Sequence, residues 1–514
     1  MLTSLIESLK NPKHYPHRVT EEIRVIETQV SWVILTGDFA YKFKKNINFG
    51  FLDFSTLKKR QFYCEEELRL NQRLAPDIYQ AVVAICVDDE NPEQISISAE
   101  DYRNQPPAAH IIEYAVRMQQ FDPDAGLDYL LEQGQFKDVW IEQLAGQLAG
   151  FHQTLPTVAA KSPWGKADNV WQLVSDNYLH TLEFCTDEQE LSLLTELYTK
   201  TTEYYNALLP MFDERRKLGF IRECHGDLHL GNVTLYQDKI RLFDCIEFNL
   251  QFRWIDTCSD LAFLLMDLEA NNKAAWANRT LNHYLELSGD YQSLHLLNFY
   301  KSFRAMVRAK VATLGEQANH QVFNHYLRLT QSYQERSQPK IYLMHGLSGS
   351  GKSYLSHKML QTINAIRIRS ETERQRIFKD LQKKGKKLKL HSPEVNARLS
   401  QHLLKLTQQI VQLGYTIIID GTFLKPHFRH KYVEIAEKYQ SNLQIVSCVC
   451  DEKLMAARLK RANNTRRSNS GSPVERLNEQ FQYQQPLIDG ELKYQRLVNT
   501  DNDSSIKEFL DSIC

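Results

Sequence analysis

The chain has 514 residues, of which 42% are hydrophobic and 24% charged, and its formal net charge is -1. Such a length exceeds one ordinary hydrophobic core, so two domains are expected, and the apolar content excludes extensive disorder. A charge near zero removes any global electrostatic argument for nucleic-acid or anionic-membrane partners, and the N-terminal stretch MLTSLIESLKNPKHYPHR lacks a leader's apolar core, so a cytoplasmic protein without membrane spans is expected.

In chain order, IRVIETQV (23–30), WVILTG (32–37) and FAYKFK (39–44) are short β-branched or aromatic runs broken by turn residues, which predicts an antiparallel meander. Helical spacing follows from Leu57 to Leu74 and stops at Ala75-Pro76-Asp77. AVVAICV (81–87) and HIIEYAVRM (110–118) supply two further strands. From about Asp138 to Gln334 the period is helical, except in residues 220–249, where short strands alternate with loops.

That exception holds His225-Gly226-Asp227-Leu228-His229-Leu230-Gly231-Asn232. Phosphoryl transfer to a hydroxyl needs a carboxylate that receives or orients the proton and an oxygen ligand for the metal on the nucleotide; Asp227 and Asn232 offer both on one loop. Asp244, at the end of KIRLF, stands where a second metal-binding carboxylate is needed.

This spacing resembles the aminoglycoside phosphotransferase and choline kinase branch of the protein-kinase-like fold, over residues from about 20 to 330. The resemblance implies a bilobal α+β domain in which Asp227 is catalytic and Asn232 and Asp244 hold metal. It further implies that Lys42 contacts the α/β-phosphates, Glu67 pairs with that lysine, and Met118 to Phe121 form the hinge beside the adenine. Glu67 is preferred to Glu66 because Leu70 and Leu74 follow it at i+3 and i+7, on the inward helix face. His152 falls where the family commonly has a Leu-His pair. The chain departs from kinases in lacking a Gly-rich loop between the first two strands, where the connection is only Val30-Ser31. Asp244-Cys245-Ile246, followed by Glu247, replaces the protein-kinase motif.

The polar segment 332–340 is the expected linker, giving domains 1–335 and 336–514. Beyond it IYLM, AIRIRS, YTIIID, LQIVSCVC and YQRLVNT alternate with helical segments, the rhythm of a doubly wound α/β domain with a parallel sheet. Gly346-Leu347-Ser348-Gly349-Ser350-Gly351-Lys352-Ser353 follows the first of these strands and opens a helix. In that context the glycines permit a loop whose N–H groups converge on phosphate, Lys352 reaches the β/γ-phosphates and the Ser353 hydroxyl ligates Mg²⁺. Asp420, ending the apolar strand Ile417-Ile418-Ile419, is the carboxylate expected to hold Mg²⁺ together with the Ser353 hydroxyl.

Residues 367–378, 391–399, 420–429 and 457–467 resemble the P-loop kinases of nucleoside-monophosphate, gluconate and polynucleotide-kinase type, over nearly all of residues 338–514. By that resemblance Glu371 orients or deprotonates the acceptor hydroxyl and Arg374 sits at the acceptor. Arg458, Arg461, Arg466 and Arg467 provide lid charge over the phosphates. The family usually has Asp where this chain has Glu371.

The expected function is therefore phosphotransfer from ATP, with Mg²⁺, to a small-molecule hydroxyl or amine. One alternative makes the N-terminal domain a regulatory nucleotide sensor, and another gives the C-terminal domain a polynucleotide end as acceptor. The run Lys383 to Lys389 has no interleaved aromatics to stack bases and reads as a solvated loop, so nucleic acid is not an expected partner. The nine scattered cysteines read as reduced thiols, with Cys448 and Cys450 on one strand face.

Overall fold

The computed structural model describes residues 2–88, 90–91, 94–107, 109–313, 319–335, 337–465 and 473–513. By contacts the chain divides into two compact units, Met1–Asp267 with Phe303–Asn324, and Leu268–Ser302 with His325–Cys514.

The first unit opens with α1 (Leu2–Ser8) and a meander of β1 (Arg24–Glu27), β2 (Ser31–Leu35) and β3 (Phe39–Lys44). Then come α2 (Leu57–Asn71), β4 (Tyr79–Val87), β5 (Ile95–Ile97) and β6 (His110–Gln119). The six strands form one antiparallel sheet in the order β1-β2-β3-β6-β4-β5. Alternation along β3 explains its two faces. Tyr41 and Phe43 join a core with Leu5 and Ile6 of α1 and with Leu9 just past its end, whereas Ala40 faces Cys64 and Leu68 of α2. Lys42 and Lys44 share the α2 face. Thr56 caps α2, its side chain accepting from the Lys59 N–H.

The helical part comprises α3 (Leu127–Glu132), α4 (Val139–Thr154), α5 (Ala167–Phe184) and α6 (Glu188–Lys217). Residues 220–249 contain β7 (Ile221–Glu223) and the hairpin of β8 (Val233–Tyr236) and β9 (Lys239–Leu242). The one-turn α7 (Leu250–Arg253), β10 (Trp254–Asp256) and α8 (Thr257–Ala270) follow.

Helix α9 (Ala274–Ser288) lies in the second unit, whereas α10 (Leu294–Ala312) and α11 (His320–Gln334), like α8, run through the division. These contact units therefore differ from a cut between residues 335 and 336. The expected linker is helical up to Gln334, and strand begins again at Lys340.

The rest of the second unit is β11 (Lys340–His345), α12 (Lys352–Thr362), β12 (Ile366–Arg369), α13 (Ser370–Lys383), α14 (Pro393–Gln412), β13 (Ile417–Asp420) and α15 (Pro426–Lys438). It ends with β14 (Asn442–Val449), α16 (Glu452–Thr465), α17 (Pro473–Tyr483), α18 (Asp489–Leu492), β15 (Gln495–Asn499) and α19 (Asp503–Ile513). All five strands are parallel, in the order β12-β13-β11-β14-β15. Leu355 and Met359 of α12 and Ile506, Phe509 and Ile513 of α19 pack with Tyr342, Ile418 and Val446 of the strands.

Edge strand β12 is covered by α9. The Asn282 side chain imitates a neighbouring strand, donating to Ala365 O at 2.8 Å and accepting from the Arg367 N–H at 2.6 Å. One turn away, Asn278 donates to Leu360 O and Ile363 O, satisfying carbonyls left over at the end of α12.

Candidate active sites

In the first unit the period-two face of β3 presents two ammonium groups to α2. Lys42 Nζ lies 2.8 Å from Glu67 Oε1 and 2.5 Å from Asp244 Oδ1. Lys44 Nζ lies 2.7 Å from Glu67 Oε2 and also pairs with Glu247. Glu67 is fully buried; burial works against its charge, but the two lysines overcome this and hold its carboxyl down at about 2. Glu66 instead pairs with Arg69 and Arg253.

The loop between β7 and β8 carries Asp227 and Asn232. Asn232 Nδ2 donates to the Asp227 main-chain oxygen at 2.8 Å and to its carboxylate at 3.2 Å. His229 Nε2 stands 3.6 Å from the Asp227 carboxylate. Desolvation would raise this carboxyl, but the neighbouring His229, His225 and Arg304 bring it to about 2. It is therefore ionised at neutral pH.

The loop is fixed from below by Asp260 of α8, whose two oxygens accept from the His225 N–H at 3.1 Å and the Gly226 N–H at 2.9 Å. His152 of α4 donates to the same carboxylate at 3.1 Å. Arg304 of α10 donates to Gly226 O at 3.0 Å. Gly226 has φ +91°, and a Cβ there would stand 2.7 Å from Phe252 O, so glycine is required by both conformation and approach.

Asp244 also adopts φ +63°, an uncommon conformation for a residue other than glycine that aspartate and asparagine tolerate best. The β8–β9 hairpin brings its strand beside Asn232, whose main-chain oxygen accepts from the Phe243 N–H at 3.0 Å. In the expected hinge, Gln120 binds the Gly37 N–H through its side chain, and Phe121 packs edge-on against Phe243. The turn between β1 and β2 has three residues, Thr28 to Val30, not the expected two, because β1 ends at Glu27; Thr28 Oγ1 accepts from the Ser31 N–H.

In the second unit the loop between β11 and α12 is a cradle. Gly346, Gly349 and Gly351 all have positive φ. A Cβ on Gly349 would meet Met455 O at 2.7 Å, and one on Gly351 would meet Thr500 Oγ1 at 2.6 Å. Lys352 is buried, and its ammonium donates to Leu347 O at 2.6 Å and reaches Ser350 Oγ at 3.4 Å. Among the described residues no carboxylate lies within ion-pair distance of it, and burial pushes this ammonium below the ordinary lysine range. A buried cation without a carboxylate partner among the described residues, at the N terminus of α12, suits a polyphosphate.

Asp420 is buried at the end of β13, 3.3 Å from Ser356 Oγ and 3.8 Å from Arg369 Nε. The hydroxyl bonded to Asp420 is thus that of Ser356, one turn beyond Ser353, which is exposed. Ser348 is held by Gln480 of α17, which accepts from its N–H at 2.8 Å and donates to its hydroxyl at 2.9 Å.

Arg458 of α16 donates to Gly349 O at 3.3 Å and to Thr500 O at 3.1 Å. With Gly351, Lys352, Ser353, Thr500 and Asp501 it lines a cavity of about 570 Å³, a size suited to a small ligand. Arg461 is exposed on the same helix, and Arg466 and Arg467 lie outside the described residues. Glu371 and Arg374 sit in the first turns of α13, 3.4 Å apart, and Arg374 also bonds Asn396. In the lysine run, Lys384 pairs with Asp380 and Lys386 with Glu394. The described cysteines are free thiols; Cys448 is on β14, but Cys450 lies past its end, against Gly349 O.

Residues 64–297 match the model of the phosphotransferase enzyme family, and residues 341–487 match that of an AAA domain. The chain thus joins a segment similar to the phosphotransferase enzyme family to a segment similar to an AAA domain. Uncharacterized proteins of Mycobacterium tuberculosis and Mycobacterium bovis are each 26% identical to it over 454 residues, spanning 86% of this chain and 87% of theirs. A choline/ethanolamine kinase family protein from Mesorhizobium loti is 11% identical, with TM-score 0.39, covering 65% of this chain and 95% of that one. A gluconokinase from Sinorhizobium meliloti is 16% identical, with TM-score 0.25, covering 35% of this chain and 97% of that one.

The first unit contains neighbours of the candidate residues that the sequence reading did not assign. Lys44 was legible as the second lysine on one strand face, and Glu247 as the acid after Asp244, but their pairing was not. Asp260 and Arg304 carry no local signal, since each acts on backbone far away in sequence. In the P-loop domain Gln480 and Thr500 likewise bond backbone of the distant 346–351 loop, and Arg369 faces the side chains of Glu286 and Asp420. Among the described residues no helix is long and apolar enough to cross a membrane.

Proposed function

We propose that the chain is a phosphotransferase with two Mg·ATP sites, transferring the γ-phosphate to a small-molecule hydroxyl or amine. The observation that carries this reading is Lys352, a buried ammonium lacking a carboxylate partner among the described residues, in a cradle whose glycines leave no room for a Cβ.

In the P-loop domain Lys352 and the loop N–H groups would bind the phosphates, with Asp420 and Ser353 holding Mg²⁺. The bound cation supplies charge neutralisation of the phosphates. Arg458 would close the nucleotide side, and Glu371 and Arg374 would face the acceptor. In the phosphotransferase-family domain Lys42, oriented by Glu67, would bind phosphate, and Asn232 and Asp244 would hold Mg²⁺. Asp227, ionised and free of any direct lysine or arginine ion pair among the described residues, is suited to receive or orient the acceptor proton.

Calorimetry on the full chain tests the reading. Two Mg·ATP are expected per chain, Lys352→Ala should leave one, and Asp227→Ala should keep both while abolishing one acceptor-dependent turnover. Uptake of no nucleotide by the wild-type chain would refute the proposal.

A second reading, a phosphotransferase-family domain that senses nucleotide without transferring phosphate, is favoured by the Lys42–Asp244 ion pair and the three-residue turn where kinases have a phosphate-covering loop. Turnover of any acceptor that is lost in Asp227→Asn excludes it.

A further inference from the structure

The P-loop site has a neighbour from α9, a helix that precedes β11 by more than fifty residues. Asn278, Asn282 and Glu286 recur every four residues and therefore share one face of α9. The first two secure α12 and β12 as described. Glu286 reaches further toward the phosphate site. Its Oε1 accepts from Arg367 Nε at 3.0 Å and Arg367 Nη2 at 2.7 Å, and its Oε2 stands 3.5 Å from Arg369 Nη1.

One of these arginines, Arg369, also approaches Asp420. In the parallel register Arg369 is the direct neighbour of Asp420, and its Nε is 3.8 Å from Oδ2. Arg367 Nη1 is 3.5 Å from Ser356 Oγ, which itself donates to Asp420. Arg369 is thus shared between Glu286 and Asp420, whereas Arg367 is committed to Glu286, and Arg369 is the most exposed of the four groups. A guanidinium fork binds a carboxylate through two parallel bonds when nothing competes for it. Glu286 is the competitor.

We propose that Glu286 is a positioning residue of the P-loop site: by engaging Arg367 and Arg369 it keeps Arg369 from closing on Asp420, so that this carboxylate stays available to a divalent cation. The inference rests on the reading of Asp420 as a metal carboxylate. Without Glu286, Arg369 moves the short distance onto Asp420 and competes with Mg²⁺ for the same oxygens. A residue that only stabilised the fold would lower the melting temperature and leave the cation dependence where it was.

The experiment is ATP binding by the full chain at a series of Mg²⁺ concentrations, with the P-loop signal defined as the part that Lys352→Ala removes. Glu286→Gln should raise the Mg²⁺ concentration at half-maximal binding about tenfold, and the double variant Glu286→Gln/Arg369→Gln should restore it. Arg369→Gln alone, which serves if Glu286→Gln does not fold, should leave that midpoint equal to or below the wild-type value. An unchanged midpoint in Glu286→Gln, a shift that Arg369→Gln does not relieve, or a raised midpoint in Arg369→Gln alone overturns the proposal. A wild-type chain with no Lys352-dependent uptake refutes the functional reading itself, and the proposal with it.

Discussion

Asp260 shows how much one buried side chain organises. Burial alone would raise its carboxyl, but hydrogen bonds from His152 and the loop N–H groups, with the charge of His225 nearby, hold it at about 2. In the unfolded chain the group titrates near 4. Its stabilising contribution is therefore complete above about pH 4 and is lost as pH falls toward 2, about 2 kcal/mol in all. Asp260→Asn should accordingly lose less stability than wild type between pH 5 and pH 3, as read by urea denaturation. At neutral pH, Asp260→Ala should cost about 3 kcal/mol, because two buried N–H groups and a histidine lose their acceptor. Lys42 was legible through the resemblance that FAYKFKK carries, and Glu67 because helix periodicity points it inward. Asp260 was not, because TCSDLAF reads as an ordinary apolar helix and its partners are N–H groups that only the folded loop presents.

At the scale of elements, all five strands of the P-loop sheet were legible from apolar runs between helical segments, to within two residues at either end. In the first unit β5 was missed, since ISI is too short to show alternation, and so was α1, hidden in a polar N terminus. The covering of β12 by α9 was equally hidden. Edge strands expose unpaired backbone groups, and here one asparagine takes the place of a neighbouring strand. Asn282→Leu fills a similar volume but leaves Ala365 O and the Arg367 N–H without partners, which should cost about 2–4 kcal/mol. The measurement is the shift in the urea midpoint at constant slope; a change under about 0.5 kcal/mol would show that water or a neighbouring side chain replaces the amide.

For the whole molecule, a polar stretch with a proline marks a plausible domain junction in sequence, yet the contacts group residues 268–302 with the P-loop sheet. A fragment of residues 336–514 therefore lacks Asn278, Asn282 and Glu286, and its β12 edge is uncovered. We expect it to melt at least several degrees below the corresponding transition of the full chain and to aggregate on concentration, as scanning calorimetry and light scattering would read. A fragment as stable and as monomeric as the full chain would show that α9 adds nothing to this sheet. Amphipathic periodicity in the sequence of residues 155–215 and 253–330 reports burial without chemistry, so no acceptor class was legible there.

The order of synthesis gives α9 a waiting period. Residues 274–288 leave the ribosome before residues 366–369 are made, and at roughly 5–20 residues per second the interval is on the order of 4 to 16 s. For that time Asn278, Asn282 and Glu286 have no strand to grip, so the nascent polypeptide carries an unfinished surface that only later translation can complete.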